Sequence, residues 1–469
     1  MILPNTIQKI IDGMVEVRER KVMAVVENNL KEKWDELVWQ AVWGSEEEKR
    51  TARWLIWEVG QHVGVQPASI NALYMARGRE EVGLDFTVPA INLRAMAYDM
   101  AKAVFKQAKK LRVGALILEL ARSEINYTDQ SAEEYVAVVL AGAIREGWRG
   151  PLYIQADHFQ AKASGPGEPK EGEIEAIKQL TQEAIKAGFY NIDIDMSTLV
   201  DLERETETEQ QEPNINYSLE MAKFIRELEP KGVTVSLGGE IGHIGGKNST
   251  VEDMREFVKG FNKGLPKGMV GMSKISVATG THHGGVVLPD GSLADVPVDF
   301  KVLADISKAC RAEFQISGAV QHGASTLPDE FFAQFPKTEA IEIHLATGFQ
   351  NIILDHPSFP KNFLEEMYAW LDKEKIEDKK EGQTDEQFHY SERKKTFGQF
   401  KKGFWEIEKG IKDEIMAELG GKFEFMYKEL KVINTQEMVK KACPAVEIHK
   451  TLADFGKGEK AEEVNGLAD

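Results

Sequence analysis

Eight short β-type runs, each followed by a stretch long enough for a helix, constrain this 469-residue chain more than any other feature. They are "FTVPAINL" (86–93), "VGALILEL" (113–120), "PLYIQAD" (151–157), "YNIDIDM" (190–196), "VTVSLGGE" (233–240), "KISVATG" (274–280), "EFQISGAV" (313–320) and "AIEIHLA" (340–346). Runs buried on both faces, separated by helical segments such as "RAMAYDMAKAVFKQAKKL" and "SAEEYVAVVLAGAIREG", indicate βα units and a parallel sheet. Eight consecutive units favour a closed (β/α)8 TIM barrel over an open doubly wound sheet. No G-x-G-x-x-G follows the first run, so dinucleotide binding has no support.

The barrel is expected over 85–356. Residues 1–84 read as a helical N-terminal extension, in which Trp34, Trp39, Trp43, Trp54 and Trp57 form a packing face rather than a cofactor site. Residues 357–469 read as a charged, helical C-terminal segment with a frayed tail. Two longer connections, 159–173 and 197–216, leave the C-terminal ends of the third and fourth strands, as covering loops or as solvated insertions.

A hydrophobic content of 42% is enough for a large core, and a net charge of −18 argues against nucleic acid or an anionic membrane as partner. The chain has no run of about 18 apolar residues and no signal-peptide pattern. With only Cys310 and Cys443, no disulfide framework is expected, and a cytoplasmic protein is the natural reading.

Seven of the ten histidines fall between His158 and His356, and several sit just past a predicted strand. His158, His283 and His322, after strands three, six and seven, can converge on the barrel mouth as the three ligands of a catalytic zinc-type site. Asp157 precedes His158; strand alternation points the two side chains apart, leaving Asp157 as general acid/base or as the partner that fixes His158. Glu240, ending strand five, can ligate the metal or organise a ligand. Asp195, ending strand four, can do likewise at a second cation site, or either can pair with a lysine such as Lys274. Gly284, Gly285, Gly323, Ser325 and Thr347 are placed to cradle a phosphate, where backbone N–H groups approach an anion closely.

With these segments assembled, the chain resembles the class II, metal-dependent fructose-bisphosphate or tagatose-bisphosphate aldolases. The likeness runs from "TVPAINL" to "IHLATG", and its most specific pieces are "ADH", "EIGHIGG", "GTHHGG" and "HGAS". It implies that His158, His283 and His322 bind the catalytic zinc, replaceable by Co²⁺, Fe²⁺ or Mn²⁺. Asp157 matches the acid/base at the C4 hydroxyl, and Glu240 the family's "E-x-G" glutamate. Asn92 and Ser123 match positions near the sugar phosphate, and Ala346 joins Thr347 in the phosphate-binding set. Zinc would polarise the ketose carbonyl and stabilise the enediolate left when C3–C4 breaks. A homo-oligomer is also implied.

Two departures stand out. The usual "H-x-D-H" is "Gln155-Ala-Asp-His", and the Asn of the last motif is His344, assigned to catalysis as a replacement donor to the enediolate, with extra-ligand and core roles open. The loop acid is missing from "GGKNST", leaving Tyr127, His243 and His282 as candidates for protonating the enediolate. The leading expectation is reversible cleavage of fructose 1,6-bisphosphate to dihydroxyacetone phosphate and glyceraldehyde 3-phosphate. The alternatives are a ketose 4-epimerase working by retro-aldol chemistry and a noncatalytic aldolase-like subunit.

Overall fold

The computed structural model describes residues 3–19, 21–242, 247–280, 288 and 298–456. All eight expected strands form: β1 Val88–Asn92, β2 Ile117–Ala121, β3 Gly150–Gln160, β4 Asn191–Asp195, β5 Ser236–Glu240, β6 Lys274–Val277, β7 Ala319–Gln321 and β8 Glu342–Leu345. Each pairs in parallel with its neighbours in chain order, and β8 closes on β1 through Glu342↔Val88 to Leu345↔Ile91. The fold is a (β/α)8 barrel. Its crossover helices bury their apolar faces on the strands, as Ala97–Leu111 does with Met100, Ala101, Val104, Phe105 and Ala108.

The one break in register between barrel strands β3 and β4 falls between Ala156 and Phe159, on the Asp157–His158 pair. His158 there has φ 41°, in the left-handed region that a β-carbon disfavours. A bulge of this kind redirects side chains. The expectation that alternation points Asp157 and His158 apart is therefore overturned: His158 Nε2 lies 3.9 Å from Asp157 Oδ1.

The N-terminal segment is less purely helical than its sequence suggests. Beside helices Asn5–Ile11, Leu30–Trp43, Glu46–Val63 and Asn71–Gly78 it contains an antiparallel hairpin, Val15–Arg18 with Lys21–Val25. It also lends a strand, Val65–Ala68, which pairs in parallel with the first half of β3, Val65 opposite Gly150 and Ala68 opposite Tyr153. The tryptophans pack as expected: Trp34, Trp54 and Trp57 are buried. Their indole N–H groups donate to the carbonyls of Ala141 (3.0 Å), Lys450 (3.0 Å) and Ile448 (2.7 Å). One continuous apolar core runs from Ile7 to Phe455, so both flanking segments are packed onto the barrel.

Of the two long connections, the first carries a small hairpin, Ala163–Gly165 with Glu168–Pro169, tied down by Glu173, which accepts from Lys162 N and from Arg122. Most of the second is helix: Thr206 caps Glu207–Leu228 with a reciprocal Glu209 bond, and Pro213 sits within it. Among the described residues no helix is long and apolar enough to cross a membrane.

Candidate active site

Period-two alternation along the strands brings a set of polar side chains into one place. Gln155 and Asp157 on β3, Asp193 and Asp195 on β4, and Glu342 and His344 on β8 are each two apart, so each pair shares a face. Glu119 from β2, Glu240 from β5, Lys274 from β6 and His322 just past β7 join them, and all ten are buried.

At the mouth, Asp157, His158 and His322 offer ligand atoms within 4.8 Å of one another, and His158, Asp195 and Glu240 form a second such group. Asp195 Oδ2 sits 3.1 Å from His158 Nδ1 and accepts from Gln160 Nε2 at 2.6 Å, while its Oδ1 accepts from Ser197 N and Oγ. That leaves Nε2 as the His158 nitrogen able to ligate, with Asp195 fixing the ring from behind. His322 Nε2 is 3.4 Å from Glu240 Oε2, its Nδ1 is 4.0 Å from Asp157 Oδ1, and the His158 and His322 ring centroids are 4.1 Å apart.

Burial opposes charge on His158, but Asp157, Asp195 and Glu240 outweigh it and lift the imidazole to about 10. Burial, with Asp195 beside it, holds the Glu240 carboxyl well above the usual carboxylate range. Glu240 Oε1 meets no hydrogen-bond donor among the described residues. The His158 shift reflects the negative charge around it, which a bound divalent cation would relieve. His158 belongs to both groups, with His322 in one and Glu240 in the other, so these three are the candidate ligands. His283 and Gly284, with Gly285, His243 and His282, lie outside the described residues.

One layer deeper, His344 bridges three acids: Nδ1 is 3.0 Å from Asp157 Oδ1 and 3.2 Å from Glu119 Oε2, and Nε2 is 2.7 Å from Glu342 Oε1. Burial opposes its charge, and Glu119 and Asp157 still raise it well above the ordinary histidine value. Lys274 does not pair with Glu240 or Asp195, as the sequence left open. Its Nζ lies 2.9 Å from Asp193 Oδ1, 2.5 Å from Glu342 Oε1 and 2.8 Å from Gln155 Oε1. Gln155 Nε2 in turn donates to Glu119 (2.9 Å) and Glu342 (2.8 Å), and Tyr74 closes the base with a hydrogen bond to Glu342. Glu119, Asp193 and Glu342 escaped the sequence reading; the signal was a charge alternating with apolar residues inside "LILEL", "NIDID" and "IEIH".

Of the positions assigned to phosphate binding, the described ones have the following contacts. Asn92 Nδ2 donates to Glu124 Oε2 at 2.8 Å and reaches Asp157 Oδ2 at 3.4 Å. Ser123 is buried beside Glu124. Gly323 takes φ 68°, and Ser325 Oγ accepts from Gly348 N at 3.1 Å. Ala346 precedes helix Thr347–Leu354, and Thr347 is its first residue. Tyr127 OH lies 3.5 Å from Glu124 Oε1.

Comparison with known proteins bears on the family and the fold. The family model of fructose-bisphosphate aldolase class II matches residues 83–397, about two thirds of the chain. Among solved structures, a Sinorhizobium meliloti protein described as a probable tagatose 6 phosphate kinase is 13% identical with a TM-score of 0.52, over 76% of this chain and 100% of that one. The Campylobacter jejuni fructose-bisphosphate aldolase is 17% identical with a TM-score of 0.46, over 79% and 97%. No curated protein matches. A likeness this distant to solved structures speaks to fold alone. The family match covers the barrel and every site strand, and so the chain belongs to the class II fructose-bisphosphate aldolase family.

Proposed function

We propose that the barrel mouth is a zinc-dependent aldolase centre that reversibly cleaves fructose 1,6-bisphosphate to dihydroxyacetone phosphate and glyceraldehyde 3-phosphate. The observation that carries this reading is the place of Asp157. Its Oδ1 lies 3.9 Å from His158 Nε2, 4.0 Å from His322 Nδ1 and 3.0 Å from His344 Nδ1, so one carboxylate borders both the ligand histidines and the buried polar layer.

A divalent metal, when bound, supplies the Lewis acid that carbonyl polarisation requires. His158, His322 and Glu240 are the described residues that would hold it, with His283 as the remaining expected ligand. Asp157 takes the C4 hydroxyl proton in cleavage and returns it in condensation. His344, held on its far side by Glu342, fixes the orientation of Asp157. Asp195 does the same for His158, at the position the sequence reading gave to a second cation. Thr347, Ser325, Ala346 and Gly323, with Asn92 and Ser123, are the described residues this reading assigns to the phosphate. Cys310 and Cys443 are both buried free thiols, which suits a reducing cytoplasm, and a homo-oligomer is carried over from the family resemblance.

The test is to incubate zinc-loaded protein with fructose 1,6-bisphosphate and follow all carbon-containing products by NMR. Triose phosphates that disappear with a chelator and return with zinc support the reading. An epimeric ketose without free trioses would replace it with the epimerase, and a protein inert also toward tagatose bisphosphate and unphosphorylated ketoses would replace it with the noncatalytic subunit.

A further inference from the structure

The connection after β2 and the two flanking segments border a cavity of about 590 Å³ that the chemistry above leaves unused. Trp43 from the N-terminal segment, Asn126 and Gln130 from the connection, and Lys401 and Phe455 from the C-terminal segment line it. None of the described residues assigned to the metal, the acid/base or the phosphate does. Three N–H groups here are unspent: Trp43 Nε1, Asn126 Nδ2 and Gln130 Nε2 are shielded from solvent and meet no hydrogen-bond partner among the described residues. Gln130 is 4% exposed, and its backbone N–H is held by the Ile125 carbonyl at 3.2 Å, so its amide rides on a fixed turn. A buried donor left dry loses its hydration for nothing, and folded chains keep few of them.

The neighbouring acceptors are already taken. Glu133 Oε1 lies 3.1 Å from Arg53 Nη1, and its Oε2 accepts from Gly456 N at 3.0 Å. Glu134 Oε1 lies 2.7 Å from Lys401 Nζ, and its Oε2 lies 3.4 Å from Arg53 Nη2. Ser131 caps helix Ala132–Arg145 by accepting from Glu134 N at 3.3 Å, and the start of that helix adds further N–H groups and the positive end of its dipole. What this wall lacks is an acceptor. Beside it, the buried side chains of Val42, Ile125 and Phe455 supply apolar surface.

We infer that this cavity is a second ligand site, taking a carboxylate that carries an apolar body. The carboxylate accepts from the indole and the two amides beside the helix start, and the body packs on Val42, Ile125 and Phe455. An ionised carboxylate brings acceptors only, and charge-assisted bonds to it are shorter and stronger than neutral ones. A polyol would bring hydroxyl hydrogens to carboxylates that Arg53, Lys401 and Gly456 have already claimed. The same pairing offsets the repulsion that Glu133 and Glu134 would otherwise exert on an anion. Asn126 shares the short helix Arg122–Tyr127 with Glu124, which accepts from Asn92 beside Asp157, so this site and the barrel mouth are joined through one element.

The experiment titrates phenylacetate, with phenethyl alcohol and acetate as controls, into the full metal-loaded chain, followed by calorimetry and by tryptophan fluorescence. The acid should bind saturably with a Kd of about 1 mM or tighter. The alcohol, which lacks the head, and acetate, which lacks the body, should each bind at least about 10-fold more weakly. Gln130→Leu removes an unpartnered amide with little change in volume, so it should weaken binding of the acid roughly 10-fold, with metal content unchanged and the thermal midpoint no lower than in the wild type. Equal affinity for acid and alcohol, or unaltered affinity in Gln130→Leu, overturns the carboxylate site. An absence of saturable binding at about 10 mM acid leaves the cavity to water and overturns it as well. If Gln130→Leu does not fold, Trp43→Phe decides: it keeps an aromatic ring and drops the N–H, and unchanged affinity refutes the proposal.

Discussion

Replacing Lys274 by methionine tests whether the buried polar layer is held together by one ammonium. Lys274 is fully buried, and its Nζ lies 2.9 Å from Asp193 Oδ1 and 2.5 Å from Glu342 Oε1. Methionine fills nearly the same volume, so the packing cost is small and the electrostatic one dominates. Glu342 would keep His344, Gln155 and Tyr74. Among the described residues Asp193 would keep only His344 Nε2, at 3.6 Å. The loss therefore approximates one broken buried pair, about 3–5 kcal/mol near neutral pH. Burial already holds Asp193 above its ordinary 3.8 despite Lys274, and removing the ammonium raises it further. A carboxyl raised in the folded state binds more protons there than in the unfolded chain, so its penalty shrinks as pH falls toward 3.8. The deficit should therefore be smaller at pH 5 than at pH 7.5. Urea midpoints followed by tryptophan fluorescence at the two pH values, with unchanged m, measure this directly. Adding Asp193→Asn to Lys274→Met should recover at least about 2 kcal/mol as a coupling energy. A deficit below about 1 kcal/mol, or one as large at pH 5 as at 7.5, would show that Lys274 does not hold this layer.

Three further outcomes are expected. His158→Ala or His322→Ala should lose bound metal by elemental analysis together with turnover, whereas Asp157→Asn should keep the metal and lose about 10²–10⁴ in kcat. In Gly348→Ala the new β-carbon would fall 2.1 Å from the Ser325 carbonyl oxygen, so thermal denaturation should show a loss of about 1–3 kcal/mol as the loop and helix Thr347–Leu354 are pushed apart. Burial alone would raise the Glu342 carboxyl, but Lys274 and His344 bring it down from 4.5 to about 2, so its contribution is present above 4.5 and is lost as pH falls toward 2. Glu342→Gln should therefore be less stable than wild type at pH 7, with the gap closing below pH 4.5 in acid denaturation followed by circular dichroism.

Strand positions and the barrel were legible because their signal is local: each run is apolar, β-rich and bounded by turn residues, and each of β1 to β8 overlaps one of the eight runs read from sequence, with β2, β3 and β7 reaching past the run's end. The strand Val65–Ala68 was not, because four residues with Pro67 at their centre carry no strand signature; pairing with β3 creates it. Asp157 and His158 were legible as residue types but not as geometry, since the bulge that turns both into the mouth shows only in the pairing of β3 with β4.

The two departures at Gln155 and His344 have one explanation that neither position reveals alone. Gln155 gives both amide hydrogens to Glu119 and Glu342 and its oxygen to Lys274, a contact set that an imidazole, with two ring nitrogens, could not make. His344 presents a ring nitrogen to each of Asp157 and Glu342, where an amide would offer hydrogens from a single nitrogen and leave its oxygen against a carboxylate. Each substitution would leave a buried group unsatisfied without the other, or without Lys274 between them. Gln155, Lys274, Glu342 and His344 therefore form one unit beneath Asp157, and exchanging Gln155 or His344 for the family residue should cost more singly than the two exchanges cost together.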